Sequence, residues 1–246
     1  AQAGINAVDA EAYSNTSING APGNPQTLYV VVTDTDTGCV DYTTLTIRVL
    51  PNPTPTPVLP ELILCDDINP GDMEEVFDLT TNEVLLLNGE TGVTPTYHES
   101  EEDAAEGINA IADPTMYTNT STPQVIYVRV TNDITGCFTL VNFTLIVNPL
   151  PDVVAVTDFI ACELNNDGIY DFDLTTKDAE IANGQLDVVV SYHISVADAA
   201  SGANPLPNTY INVNSNPETI YVRVENTTTG CVSTSQFDLI VNPVPV

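Results

Sequence analysis

Short blocks of alternating apolar and polar residues recur along the chain. Residues 126–130 read IYVRV, so Ile126, Val128 and Val130 fall on one side of an extended strand and the residues between them fall on the other. This alternation predicts strands with one packed face and one solvated face. Thr-Gly pairs that follow such blocks indicate turns. The pattern therefore predicts an all-β chain.

Three of these blocks repeat at a fixed spacing. Residues 28–32, 126–130 and 220–224 are each followed by a Thr-Gly-Cys turn. The three turn cysteines lie 98 and 94 residues apart (137 − 39 and 231 − 137), at Cys39, Cys137 and Cys231. A fixed period identifies repeated modules, and one immunoglobulin-like β-sandwich takes about 100 residues. The sequence therefore predicts tandem immunoglobulin-like β-sandwich modules.

Proline-rich segments mark the predicted module boundaries. Residues 51–60 and 149–151 each follow the last strand of a repeat. We therefore expect complete modules at residues 53–150 and 151–246, and only the rear half of a module at residues 1–52. Stiff, extended proline-rich joints predict that the modules form an extended rod.

Helices are predicted only as short turns within the sandwiches. The alanine-rich residues 101–111 and 197–203 occupy the same repeat position and predict a turn of helix that crosses between sheets. Apolar blocks such as residues 84–87 have the length of a strand, whereas a membrane-spanning helix needs about 20 apolar residues. We therefore expect no membrane insertion.

The charge of the chain limits its partners. Its 246 residues carry 34 Asp and Glu against 4 Lys and Arg, a formal net charge of −30. Nucleic acid is not an expected partner, because binding phosphates requires clustered Lys and Arg. The hydrophobic content of 43% still provides for folded cores. Cations are the natural counterpart of such a surface.

Five cysteines fall at two repeat positions. Cys65 and Cys162 stand in the front halves, and the others follow the Thr-Gly turns. Without CxxC spacing or neighbouring histidines, this placement indicates disulfides and an extracellular setting. The simplest pairing lies within modules, Cys65 with Cys137 and Cys162 with Cys231, and leaves Cys39 for a partner in a missing front half. The alternative pairing bridges neighbouring modules, and Cα separations below about 7 Å decide between them.

An acidic loop follows each front cysteine and suggests calcium. Calcium-binding loops typically have oxygen ligands at alternate positions and a glycine at the sixth position of the loop. In the last module the candidate ligands are Glu163, Asn165, Asp167, Ile169, Asp171 and Asp173. In the middle module, where the pattern is looser, they are Asp66, Asp67, Asn69, Asp72 and Asp78. The alternative interpretation is ordinary turn chemistry, with the carboxylates capping their own backbone.

The residues that could suggest an enzyme have structural explanations. His98 and His193 share one repeat position behind a tyrosine, which favours a role within a strand. Arg129 and Arg223 lie on the solvated faces of their strands, where we expect them to pair with carboxylates. Repeated small sandwiches rarely provide the cleft that catalysis needs. We therefore expect no enzymatic activity.

The combined motif resembles a known class of repeat. It consists of Cys and an acidic loop, Phe-Asp-Leu-Thr, Tyr-His, Ile-Tyr-Val-Arg-Val, Thr-Gly-Cys and Val-Asn-Pro. It is similar to the repeat modules of very large secreted surface proteins of the Bacteroidota, including gliding-motility adhesins exported by the type IX secretion system. That resemblance implies a bacterial cell-surface location and a stalk-like shape.

Two functions follow from these expectations. The first is a structural or adhesive segment of a large cell-surface repeat protein, whose partners are the other repeats of the same polypeptide and surface glycans or proteins. The second is a spacer or carbohydrate-binding accessory module of a secreted enzyme. The absence of Trp and the aromatic content of 7% disfavour the second, because sugar-binding sandwiches usually present aromatic platforms.

Overall fold

A computed structural model describes Glu11, Tyr13 and residues 24–164, 167–213 and 216–244. The first element is an antiparallel hairpin of β1 (Gln26–Thr33) and β2 (Val40–Ile47). Two similar modules follow it, each with one four-stranded and one two-stranded sheet. The fold is therefore tandem immunoglobulin-like β-sandwich modules, as the alternation and the repeat period predict.

The second module is built from six strands and two helices. In chain order these are β3 (Leu62–Cys65), β4 (Val76–Phe77), α1 (Glu83–Leu87), β5 (Val93–His98), α2 (Glu101–Glu106), β6 (Tyr117–Thr118), β7 (Gln124–Asn132) and β8 (Phe138–Asn148). The larger sheet has the order β3-β8-β7-β5, and β4 pairs with β6. Strand β3 runs parallel to β8, whereas the other pairs are antiparallel.

The third module repeats this arrangement. Its elements are β9 (Phe159–Glu163), β10 (Asp171–Asp173), α3 (Asp178–Ala182), β11 (Val188–His193), α4 (Val196–Ser201), β12 (Thr209–Ile211), β13 (Glu218–Asn226) and β14 (Val232–Pro243). The larger sheet has the order β11-β13-β14-β9, with β9 parallel to β14. In each larger sheet, the strand that comes first in the sequence (β3 or β9) therefore runs in the same direction as the strand that comes last (β8 or β14).

The second and third modules each have their own core beneath the alternating strand. Ile126, Val128 and Val130 are each 0% exposed, as their predicted common face requires. They pack in one cluster with residues of both sheets, including Phe77 and Phe143. A separate cluster in the third module contains the equivalent Ile220, Val222 and Val224. Burial of the apolar face of this repeated strand thus stabilises the packing of the two sheets in each sandwich.

The first hairpin keeps the repeat pattern, but in the part of the chain that the structure describes its apolar side chains are more exposed. Its β1–β2 register places Leu28 opposite Leu45, as Ile126 lies opposite Phe143 in the second module. Val30 and Val32 are nevertheless 38% and 57% exposed. In the second module, Phe77, Leu79 and Leu86 precede the equivalent strands and belong to the buried cluster around Ile126, Val128 and Val130.

The helices confirm one prediction and correct another. Helices α2 and α4 overlap the alanine-rich stretches, and each is capped by a serine, Ser100 or Ser195, whose side chain accepts a backbone N–H. Residues 84–87, whose length suggested a strand, lie instead in α1. Only Leu86 of this helix is buried, whereas Val84 is 90% exposed. Within the described ranges, no helix has both the length and the apolar character needed to cross a bilayer.

Candidate functional site at the joint between modules

A disulfide joins the second and third modules. It links Cys65, the last residue of β3, to Cys231, which precedes β14. The Cα atoms are 5.6 Å apart, although the two residues are 166 positions apart in the sequence. Cys231 is 1% exposed, so the bond lies inside the joint.

The predicted pairing within modules, Cys65 with Cys137 and Cys162 with Cys231, is wrong, and the alternative that bridges neighbouring modules is confirmed. Parallel pairing aligns Cys65 with Asn148, at the end of β8, whereas Cys137 precedes the start of that strand. Eleven strand residues at about 3.3 Å each separate the two positions by about 36 Å. The third module has the same geometry, because Cys162 aligns with Asn242. Strand direction thus places the two cysteines of each module at opposite ends.

Three cysteines are free in the part of the chain that the structure describes. They are Cys39, Cys137 and Cys162. Cys137 occupies the repeat position of Cys231, and Cys162 occupies that of Cys65. The second and third modules therefore each present one free cysteine of the type that forms the observed bond.

Hydrogen bonds support the disulfide on both sides. The Asn148 carbonyl accepts the Asp66 N–H at 3.0 Å and lies 3.9 Å from the Cys231 sulfur. The Ser233 hydroxyl donates to the Pro151 carbonyl at 2.7 Å. At the preceding joint, the Thr139 hydroxyl donates to the Pro53 carbonyl at 2.6 Å. The same pair of repeat positions therefore holds each proline linker against the following module.

A shallow cleft of about 550 Å³ opens beside the disulfide. Its walls come from the acidic loop of the second module, the linker and the start of β14; the lining residues include Asp66, Gly71, Met73, Pro151, Val153 and Thr234. The acidic loop that suggested a calcium site therefore lies at the joint, next to the covalent bond.

The carboxylates of this loop accept backbone N–H groups of the loop itself. Asp66, which is 2% exposed, accepts the N–H of Gly71 at 2.5 Å and that of Met73 at 3.2 Å. Glu75, which is 5% exposed, accepts two further N–H groups, from Asp67 and Ile68. The buried acids of the loop therefore fix its turn, which is the chemistry that the alternative interpretation describes.

The acidic loop of the third module is fixed in the same way. Glu163, 6% exposed, accepts the N–H groups of Asp167 at 3.0 Å and Gly168 at 2.6 Å. The Asn212 side chain accepts the Tyr170 N–H and donates to the Gly168 carbonyl. Asp66 and Glu163, which both follow a front cysteine, thus bind the glycine N–H of their own loop.

The remaining predicted calcium ligands are dispersed. Asp78 and Asp173 cap the short 3₁₀ turns that follow β4 and β10. The side chains of four others lie exposed, at Asp67, Asn69, Asp72 and Asp171, as does Ile169, while Asn165 lies outside the described residues. Among the described residues, no group of three or more His, Cys, Asp or Glu is arranged to hold a metal ion. Calcium binding stays a prediction from the sequence.

The histidines and arginines bind the backbone around the helices. His98 and His193 are 0% exposed, and Nδ1 of each lies 2.8 Å from a backbone carbonyl oxygen, of Ile108 or Ala203. Because a carbonyl can only accept, Nδ1 carries the proton in both rings. Arg129 donates to the carbonyls of Ala104 and Ala105 at the end of α2 rather than to a carboxylate.

Arg223 repeats this contact and adds an ion pair. It donates to the carbonyls of Ala199 and Ala200 at the end of α4. It also pairs with Glu225 at 2.9 Å, as the expected pairing with carboxylates requires. The shared function of the two arginines is therefore to bind a helix C-terminus.

A buried polar pair in each of the second and third modules was missed by reasoning from the sequence. Gln124 donates to the Tyr117 hydroxyl at 2.6 Å, and in the third module the Tyr210 hydroxyl donates to Glu218 at 2.9 Å. Burial, and then the bond to Glu218, raise the pKa of Tyr210 to about 12. The signal was the repeated Tyr-x-Asn with Gln or Glu several residues later.

Solved structures of tandem modules resemble the chain at low identity. An I-band fragment of titin is 12% identical, with a TM-score of 0.32 and coverage of 88% of this chain and 73% of that chain. Mouse clustered PcdhgC3 EC1-3 is 9% identical, with a TM-score of 0.25 and coverage of 89% and 77%. The comparison with curated proteins finds no match.

A family model matches the chain three times, over residues 1–55, 61–151 and 158–245. Its description is Flavobacterium inter-domain disulphide bond domain, which supports an origin in the Bacteroidota. The match also agrees with the bond between Cys65 and Cys231, which joins two of the matched regions. Repeated sandwiches joined in this way form a multi-domain extracellular structural segment. The chain belongs to the Flavobacterium inter-domain disulphide bond domain family.

Proposed function

We propose that the chain is a structural and adhesive segment of a large cell-surface repeat protein, such as a stalk that serves attachment or gliding. The observation that supports this most strongly is the disulfide between Cys65 and Cys231. A covalent bond across a joint gives no benefit to a freely hinged linker. It suits a segment that must keep its modules in line outside the cell, where disulfides persist.

The free cysteines support an extension of the same arrangement. In an array, Cys162 would bond the rear cysteine of a following module, and Cys137 would bond the front cysteine of a preceding one. A second cleft, lined by Glu163, Gly168 and Val244, lies at the repeat position of the cleft beside the disulfide. We propose that this end of the third module receives a further module of the same type.

Adhesion by such a segment would depend on repetition. Each module contributes at most weak contacts, and many modules on one stiff stalk raise the effective affinity without any new kind of contact. The net charge of −30 keeps neighbouring stalks apart by repulsion. No catalytic step is part of this proposal.

The structural part of the proposal can be tested by small-angle X-ray scattering. A chain with Cys65→Ser and Cys231→Ser should show a broader distribution of interatomic distances than the unmodified chain, because its joint can bend. The matched control with Cys137→Ser and Cys162→Ser keeps the observed bond and should retain the unmodified profile. Equal profiles for all three chains would contradict a disulfide-stiffened rod.

The adhesive part needs the source bacterium. An antibody raised against the chain should label intact cells, and replacing residues 53–246 with a Gly-Ser linker of equal length should reduce attachment to glass or polysaccharide under flow. Labelling that requires permeabilised cells would contradict the surface location. Unchanged attachment and gliding after the replacement would contradict the adhesive role.

A further inference from the structure

We infer that the bond between Cys65 and Cys231 is a mechanical shunt. Tension on the chain passes through the disulfide, so that residues 66–230 of the two modules bear no load. The inference rests on the proposed function only in one respect, namely that the chain is pulled at its ends. Everything else follows from the direction in which the strands run.

Strand direction places the bond on a straight route through both modules. Strand β3 runs parallel to β8, which leaves the module at Asn148, so Cys65 lies at the end of the module that faces the joint. In the third module, β14 starts beside Cys231 and runs parallel to β9 as far as Pro243. The incoming strand of one module and the outgoing strand of the next therefore meet end to end at the disulfide.

The chain between the two cysteines lies outside that route. Tension that arrives along residues 53–65 can cross the sulfur bridge and leave along residues 231–244. Every residue from 66 to 230 then lies in a loop whose two ends are 5.6 Å apart at their Cα atoms. Both apolar cores belong mainly to this loop, so the tension does not act through them.

The incoming segment is also held along its length. Thr54 donates to the Glu90 carboxylate, and Thr56 donates to the Leu85 and Leu86 carbonyls. Leu59, 7% exposed, anchors the segment in the core, and β3 then pairs with β8. Tension applied at both ends of this segment tightens it without pulling it away from β8.

Without the bond, the direction of loading changes. Tension would then enter the second module through β3 and leave it through the C-terminal end of β8. These parallel strands would be pulled past each other, and the force would cross the four paired positions between Leu62 and Cys65 before it reached the linker. The third module would be loaded in the same way, through β9 and β14.

The bond therefore prevents a defined length of chain from extending under tension. The separation of 166 residues corresponds to about 600 Å of extended polypeptide at about 3.6 Å per residue. This length can appear under tension only when the disulfide is absent.

Single-molecule pulling between the two ends of the full chain tests the inference. The double variant Cys65→Ser, Cys231→Ser should release about 600 Å more contour length than the unmodified chain. The double variant Cys137→Ser, Cys162→Ser is the matched control, because it loses two cysteines but keeps the bond, and it should behave as the unmodified chain. Adding a reductant to the unmodified chain should reproduce the longer release even if the first variant folds poorly.

Two outcomes would overturn the inference. One is a release of the full 600 Å by the unmodified chain without reductant. The other is unfolding of the oxidised modules at the same force as in the reduced chain, with the bond shown to be intact on a non-reducing gel. Failure of the attachment experiment would leave these contour lengths unchanged, so the two proposals fail separately.

Discussion

Asn119 shows how single polar residues hold the acidic loops. Its side chain is 1% exposed, accepts the Glu75 N–H at 2.6 Å and donates to the carbonyls of Met73 and Ser121. Asn212 makes the matching pair of bonds in the third module. A buried amide with all of these partners connects the acidic loop to the segment that follows β6.

Removing this side chain should destabilise the second module. Asn119→Ala leaves one buried N–H and two carbonyls without their partner, at a cost of about 2–3 kcal/mol in the free energy of unfolding. Asn142, which is exposed on β8, provides the control, and Asn142→Ala should change stability by less than about 0.5 kcal/mol. Urea denaturation measures both, and equal losses would contradict the assigned role.

The buried tyrosines make stability depend on pH at the alkaline end. Burial, followed by a bond to Glu218, raises the pKa of Tyr210 to about 12, and burial together with nearby carboxylates also raises the pKa values of Tyr97 and Tyr192. The neutral phenol is therefore favoured in the folded state. This contribution is complete below a pH of about 10, the pKa of an unfolded tyrosine, and is lost as the pH rises toward 12.

Melting temperatures measured between pH 8 and pH 12 should accordingly fall above pH 10. Tyr210→Phe should make that fall shallower, because the substituted ring cannot ionise. Tyr29, whose side chain is 78% exposed, is the control position, and Tyr29→Phe should leave the fall unchanged. The same slope for both variants would contradict a role of the buried phenol.

Contacts around the short helices were only partly predictable from the sequence. The alanine-rich pattern and the serine caps indicate α2 and α4, because both signals are local. The contact of Arg129 with the end of α2 joins residues 24 and 25 positions apart in the sequence, and the sequence suggested a carboxylate partner instead. Helix α1 was missed because its exposed Val84 and Leu85 resemble a strand in composition.

Arg129 should not be replaceable by lysine. Its Nη1 donates to two carbonyls of α2, its Nε donates to the Thr131 hydroxyl, and the planar group lies 3.4 Å from the centroid of the Phe138 ring. One ammonium nitrogen cannot make all of these contacts. Arg129→Lys should lower the free energy of unfolding by about 1–2 kcal/mol. Arg48→Lys, at an exposed position, should have no measurable effect in the same denaturation experiment. If lysine at position 129 left the stability unchanged, the guanidinium contacts would not be important for folding.

At the scale of the whole molecule, the repeat period and the module type were predictable, and the disulfide partners were not. The period depends on residues that recur in the sequence. The pairing of Cys65 depends on β3 running parallel to β8, which no local pattern indicates. Once that direction is known, Cys137 lies at the opposite end of the module and only a neighbouring module can supply the partner.

The acidic surface carries a prediction about calcium. Residues 61–106 contain fourteen carboxylates and no Lys or Arg, so their mutual repulsion opposes folding. Removing calcium with a chelator should lower the melting temperature, and adding calcium back should restore it. Sodium chloride at the same ionic strength is the control and should not restore it. An unchanged melting temperature would reject a calcium site and leave the turn interpretation.

Peptide mapping without reduction identifies the partner of Cys65. Free thiols are first alkylated, and the oxidised chain is then cut by a protease specific for Asp and Glu, since Lys and Arg number only 4. The structure predicts a cross-linked fragment that contains Cys65 and Cys231, together with alkylated Cys137 and Cys162. Fragments that join Cys65 to Cys137 and Cys162 to Cys231 would contradict the account.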